Sequence, residues 1–342
     1  MTKLFGIQYL RAVAALAVVV FHAAERSGLN FVVGAAGVDI FFVISGFVMW
    51  TLAATRPVST WAFYRDRLLR IAPLYWIVTL VMAVGALAGL FPRIRLTADH
   101  VIASLAFVPH RSPSNGEIWP LLTQGWTLNL EMFFYLIFGL ILFLPRERRL
   151  AMLTTTFVGL VLAGWYFRPE GAALVTFTRP IMLEFLYGAV LGKFWLDSRL
   201  PGRSTGIATI TIASAGFMML VLFPKAANEL LFGLLATVLV TGAVSVERSG
   251  PIPHRPWLSY LGDASYSIYL WHTLAISVAG KTAEVLSLGA LPTLVLGVVG
   301  GTALGVLSYE LIEKPLIGLV KSRRRMSTTH RADMAARTRE AG

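Results

Sequence analysis

The 342 residues are 56% hydrophobic and only 14% charged, against about 25% charged in an average soluble domain, which excludes an ordinary water-soluble fold. There is no cysteine, which excludes disulfides, thiolate nucleophiles and thiolate metal sites, and no metal is expected. The net charge of +12 falls in the connections between apolar blocks, so membrane topology accounts for it and no nucleic-acid partner is expected.

Blocks of 18 or more apolar residues match a hydrocarbon core about 30 Å thick, and lipid obliges each block to be a helix. The expected fold is therefore all-α, a polytopic membrane bundle of about ten spans. They fall near 7–24, 35–55, 71–91, 125–144, 150–167, 179–196, 205–223, 227–246, 261–280 and 290–312. The apolar stretch Asp99–Val108 is too short to cross and is expected at the interface. With the N-terminus in the cytoplasm, inner segments hold 21 of the 30 Lys and Arg residues and outer segments 8, Arg11 lying inside the first span. One span more or fewer would scramble that alternation, so both termini are expected in the cytoplasm. Lys3, an apolar run and Ala23-Ala24 also resemble a signal peptide. Its removal would upset the charge alternation of the other nine spans. Residues 1–320 read as one integral membrane domain. Residues 321–342 read as a basic, disordered cytoplasmic tail able to touch anionic lipid.

Ionisable side chains inside spans cost several kcal/mol and are functional candidates by default. Arg11 and His22 are eleven residues apart, which is about 16 Å along a helix and about 20° around it. They share one face, with Arg11 toward the cytoplasm and His22 toward the outer leaflet. Asp39, Glu131 and Glu184 are expected at the depth of His22, and His272 near the middle of the ninth span. An imidazole with carboxylates at one depth suggests a buried general base with orienting partners. A hydrogen-bond knot that glues helices together is the other reading of the same residues.

Tyr64-Arg65-Asp66-Arg67-Leu68-Leu69-Arg70 precedes the third span. Its arginines suit phosphate oxygens, and they also suit ordinary positive-inside charge snorkelling to headgroups. Trp126, Tyr266 and Tyr269 belong to a set of aromatics that serve mostly as interface belt or core, with ligand support as the lesser reading.

Five segments together resemble one family. They are Ile7-Gln8-Tyr9-Leu10-Arg11 through Phe21-His22, with ten residues between Arg and His, and Gly37-Val38-Asp39-Ile40-Phe41-Phe42-Val43-Ile44-Ser45-Gly46-Phe47. Tyr64-Arg65-Asp66-Arg67-Leu68-Leu69-Arg70-Ile71-Ala72-Pro73, Trp126-Thr127-Leu128-Asn129-Leu130-Glu131 and Ser265-Tyr266-Ser267-Ile268-Tyr269-Leu270-Trp271-His272 follow in order. The chain thereby resembles the acyltransferase-3 family of membrane acyltransferases, in particular its stand-alone exopolysaccharide O-acetyltransferases. Many members carry an appended hydrolase-like domain, for which this chain has no room.

The resemblance implies transfer of an acyl group, usually acetyl, from cytoplasmic acetyl-CoA or another acyl-CoA to a carbohydrate hydroxyl. The acceptor is a lipid-linked or exported polysaccharide, and the setting is the bacterial inner membrane. On that view Arg65, Arg67 and Arg70 hold the CoA phosphates, and Arg11 orients the donor or polarises the thioester. His22 acts as general base, with Asp39, or in competition Glu131, fixing its tautomer. Glu184, Trp126, Tyr266, Tyr269 and His272 support the acceptor or the base. A transient acetyl-histidine is the variant mechanism. A transporter or flippase, or a structural polymer-assembly subunit, would also carry such intramembrane groups.

Overall fold

The computed structural model describes residues 3–55 and 59–319; Arg56 and the tail 321–342 lie outside the described residues. The described chain is helical throughout, with α1 (Phe5–Arg26), α2 (Gly37–Thr55), α3 (Thr60–Leu87), α4 (Ala98–Leu105), α5 (Gly125–Ile141) and α6 (Arg146–Phe167). It continues with α7 (Ala172–Phe177), α8 (Leu183–Leu196), α9 (Arg203–Leu222), α10 (Glu229–Arg248), α11 (Pro256–Val285) and α12 (Ala290–Ser308). Among the described residues the one extended pairing is an isolated bridge between Arg111 and Ile118.

Each of the ten predicted spans falls on a helix, but they are not equivalent. Among the described residues seven helices are long and apolar enough to cross a membrane: α1, α2, α3, α6, α9, α10 and α12. The α5 and α8 helices, at 17 and 14 residues, are short for a crossing, and α11 is long but rich in Ser, Tyr and Thr. The expected interfacial segment is the eight-residue α4. The chain is a multi-pass membrane protein.

Burial separates the helices by role. On α6 only Leu153 and Phe157 are buried, while Trp165 is 76% exposed. Apolar and bare on most sides, it is a lipid-facing helix. The centre is aromatic: Phe185 of α8 stacks on Phe42 of α2 and on Phe134 of α5, each at 4.5 Å between ring centroids. Close approach of α2 and α8 depends on two glycines. A Cβ on Gly46 would meet the Phe185 backbone, and one on Gly188 would meet the Val43 and Phe47 backbones. Lipid supplies no hydrophobic drive between helices, so such backbone proximity carries much of the packing energy.

Two chain ends are fixed by side chains from elsewhere. The first turn of α1 has no cap of its own; Glu247, near the end of α10, accepts from the Phe5 N–H at 2.5 Å and the Gly6 N–H at 3.0 Å. A carboxylate there satisfies orphan donors and complements the positive helix end. After α12 the helix widens into a π-helical turn over Tyr309–Glu313. That turn buries Glu313 to 3% exposure, while Leu311 stays 66% exposed.

Candidate active site

Helices α1, α2, α3, α5 and α11 enclose a cavity of about 170 Å³ lined mostly by apolar side chains. The α1 helix delivers Arg11, whose Nε and Nη2 donate to Ser265 Oγ of α11 at 3.2 and 3.0 Å. The α3 helix delivers Arg67 and Arg70 to the same lining. Arg67 Nε is buried with no hydrogen-bond partner. Arg70 is committed: its Nη1 donates to Glu313 Oε1 at 2.7 Å, and Ser267 Oγ donates to Glu313 Oε2 at 2.6 Å. Glu131 of α5 faces the cavity and accepts from Tyr135 at 2.5 Å and from Ser45 of α2 at 3.1 Å. The cavity thus concentrates three guanidinium groups against one carboxylate on its wall and one behind it. Two of the three, Arg11 and Arg67, have no carboxylate partner among the described residues. A small apolar space with spare cationic donors suits an anionic or carbonyl-bearing ligand.

Tyr266 and Tyr269, one helical turn apart on α11, close the cavity on another side. Tyr266 donates to the Ile71 carbonyl at 2.7 Å, and the Arg70 guanidinium lies 5.9 Å from its ring centroid. Tyr269 shares a hydrogen bond with Thr127 at 2.9 Å. Its ring lies 5.8 Å from that of His272, which in turn lies 5.2 Å from that of His22. The cavity and the two imidazoles are therefore separated by the thickness of one aromatic side chain. His272 is fully buried, with Nδ1 at 3.3 Å from the Ile268 carbonyl and Nε2 without a partner. The His22 side chain is 33% exposed, and its Nδ1 lies 3.4 Å from Glu25. It is not walled off by packing.

Several expected groupings change. Asp39 makes no hydrogen bond or ion pair to His22 among the described residues; its side chain pairs with Glu184 of α8. The two helices cross at the glycines just described, and that crossing turns both acids toward each other. The acid that does touch His22 is Glu25, one turn along α1. Glu131 also makes no hydrogen bond or ion pair to His22 among the described residues, and lines the cavity. Arg65 does not reach the cavity: its side chain is 48% exposed and lies 3.3 Å from Asp66. Trp126 lies under the Arg179 guanidinium, 5.2 Å from its ring centroid, and Arg179 is held by Glu229 at 2.8 Å. The set Trp126, Arg179, Glu229 is apart from both cavity and histidines.

Sequence reasoning gave no site role to Ser265 and Ser267, although both stand in the last of the five quoted segments, nor to Tyr135 or Glu313. The serines and Tyr135 carry no periodic signal in an apolar helix. Glu313 stands just past the last apolar block beside Lys314, where a flanking charge is routine, and only the π turn brings it inward. Among the described residues no group of three or more His, Asp or Glu could hold a metal ion.

The family model described as an acyltransferase domain matches residues 4–310. The exopolysaccharide production protein ExoZ of Rhizobium meliloti (strain 1021) is 48% identical over 304 residues, covering 89% of this chain and 96% of that relative. A protein named "Putative membrane-bound transacylase BcsY", from Komagataeibacter xylinus, is 29% identical, over 97% of this chain and 85% of that relative. No solved structure matches.

Proposed function

The chain belongs to the acyltransferase-3 family and is an acyltransferase, and on that premise we propose that it moves a short acyl group, acetyl first among them, from acyl-CoA to a hydroxyl of a polysaccharide. The single observation that carries this reading is the line of groups from Arg67 and Arg11 through Tyr269 to His272 and His22. It supports a donor entering from the arginine end and an acceptor meeting it at the histidine end. The excess of Lys and Arg at the arginine end supports placing that end, with both termini, in the cytoplasm of a bacterial inner membrane. The acceptor is then an exported or lipid-linked glycan.

In this mechanism Arg67, with Arg65 at the surface, meets the CoA phosphates, and the pantetheine arm occupies the cavity. Arg11, held by Ser265, orients the arm or polarises the thioester carbonyl. His22 removes the proton from the sugar hydroxyl as that oxygen attacks the carbonyl carbon. The C–S bond then breaks, the ester forms, and the thiolate leaves with the proton that His22 accepted. Glu25 faces the resulting imidazolium. Asp39 and Glu184 serve the scaffold as a pair, and Glu131 fixes Ser45 and Tyr135 on the cavity wall.

The test is thiol release from acetyl-CoA and acetylation of glycan by protein in liposomes. His22→Ala should lower the rate about 10²- to 10⁴-fold with unchanged membrane insertion. Full activity in an inserted His22→Ala protein removes this residue from the chemistry. A transporter would release no thiol at all.

A further inference from the structure

A second, larger cavity opens away from the donor space. The connection between α3 and α4 and the connection between α4 and α5 form a cleft of about 1050 Å³. Its size is at the top of the range for ligand pockets. Because α1 and α3 run in the same direction, with α2 returning between them, the end of α3 lies at the His22 end of the bundle. The cleft floor at Leu121 and Thr123 leads directly to Gln124. Gln124 Nε2 donates to Thr273 of α11, the residue after His272, and to the Leu270 carbonyl at 3.3 Å. The segment that follows the cleft is therefore tied by one side chain to α11, the helix that carries His272.

The cleft is built rather than collapsed loop. Trp76 Nε1 donates to the Leu105 carbonyl at 2.8 Å and Tyr75 to the Ser104 carbonyl at 3.0 Å, tying α4 to α3. Ser104 Oγ accepts from the Leu121 N–H at 2.8 Å, tying α4 to the cleft floor.

Its lining is polar and carries a net positive charge. Arg93 and Arg95 line it, both exposed, and neither side chain makes an ion pair or hydrogen bond among the described residues. Glu117 is the one carboxylate on the lining, and Trp119 supplies an aromatic edge. His100, 2% exposed, directs Nε2–H to the Trp119 carbonyl at 2.9 Å, and its Nδ1 is buried without a partner. That bond ties the imidazole to the segment that carries Trp119 and fixes it beneath the cleft lining. Beside it, His110 lies 5.8 Å away between ring centroids and 3.3 Å from Asp99.

We propose that this cleft binds the acceptor as an anionic saccharide, its charge met by Arg93 and Arg95, with Trp119 beside them on the lining. The assignment rests on the acyl-transfer reading for the word acceptor, but binding itself does not. The anion is either a ring carboxylate or the diphosphate of a lipid carrier, and the same guanidinium chemistry serves both.

The experiment uses the full chain in nanodiscs, without any acyl donor, and follows Trp fluorescence on titration. The probes are oligoglucuronate, farnesyl diphosphate and an uncharged cello-oligosaccharide of equal length. Saturable binding of either anionic probe, weakened tenfold or more in Arg93→Gln/Arg95→Gln and weakened by salt, supports the cleft, and the probe that binds names the source of charge. Lys225→Gln removes one cation from another connection at the same end and should leave binding unchanged. Equal affinity for charged and uncharged saccharides, binding unaffected by the double substitution, or no binding of either anion overturns the proposal. A chain that binds the anionic probe but releases no thiol from acetyl-CoA overturns the acyl-transfer reading and leaves the cleft. Acyl transfer with no probe binding overturns the cleft alone. Equal elution and thermal midpoints for wild type and variants secure the comparison; should the double variant unfold, Arg93→Lys and Arg95→Lys, tested singly, carry it by a retained affinity for the anion.

Discussion

Replacing Gly46 with alanine tests how closely the scaffold is tied to the site. A Cβ there would lie 2.8 Å from the Phe185 carbonyl carbon and 3.0 Å from the Ala189 nitrogen. The first distance falls about 0.6 Å short of the 3.4 Å at which ordinary contact begins. The obstacle is helix backbone, which cannot swing aside as a side chain can, so α2 and α8 must part. Overpacking of this kind costs about 1–3 kcal/mol, and a backbone obstacle places Gly46→Ala at the upper end. Alanine also stabilises a helix by about 1 kcal/mol relative to glycine, which would mask part of the loss. Gly300→Ala on α12 removes that ambiguity, since nothing lies within 4 Å of its added Cβ. The two variants share the propensity gain, so their difference, about 3 kcal/mol, isolates the packing cost. Equilibrium unfolding in mild detergent measures it. Gly46→Ala should also lose acyl transfer, because Ser45, on the same turn, holds Glu131 at the cavity. Equal stability of the two variants would refute the close-approach argument.

Other outcomes follow from the site. Asp39→Asn should retain transfer within tenfold, because Asp39 pairs with Glu184; a loss near 10⁴-fold, as expected of a tautomer-fixing acid in a triad, would return it to the catalytic base. Arg67→Gln should raise the KM for acetyl-CoA tenfold or more with kcat less affected, and added salt should mimic it in part. Glu313→Gln leaves Arg70 without its counter-charge and should cost about 1–3 kcal/mol in the same unfolding assay. A neutral result would mean that water or lipid phosphate replaces the carboxylate.

Helix positions were readable because apolar blocks of the right length admit one secondary structure in lipid. Arg11 and His22 were readable as a pair because they share one helix, where spacing fixes both height and face. Between helices that logic fails. Depth could be inferred for Asp39 and Glu184, but rotation about each axis could not, so their partnership waited on the α2–α8 crossing. Glu131 misled for the same reason, its height alone suggesting the histidine. Motif membership likewise does not say which arginine turns inward: Arg67 and Arg70 line the cavity and Arg65 does not. The cleft near Trp119 was invisible, since the connection that builds it has no period to read.

The π turn over Tyr309–Glu313 makes local chain length a specification of its own. Five residues in a wide turn cover about the rotation of four in an ordinary one, so removing Tyr309, Glu310, Leu311 or Ile312 would let the ordinary ladder close with little turning of the helix beyond it. Glu313 would then keep its place opposite the Arg70 guanidinium. A single-residue deletion at exposed Leu311 should therefore be tolerated, whereas a second one, with no wide turn left to absorb it, would turn Glu313 by about 100° and strand that guanidinium.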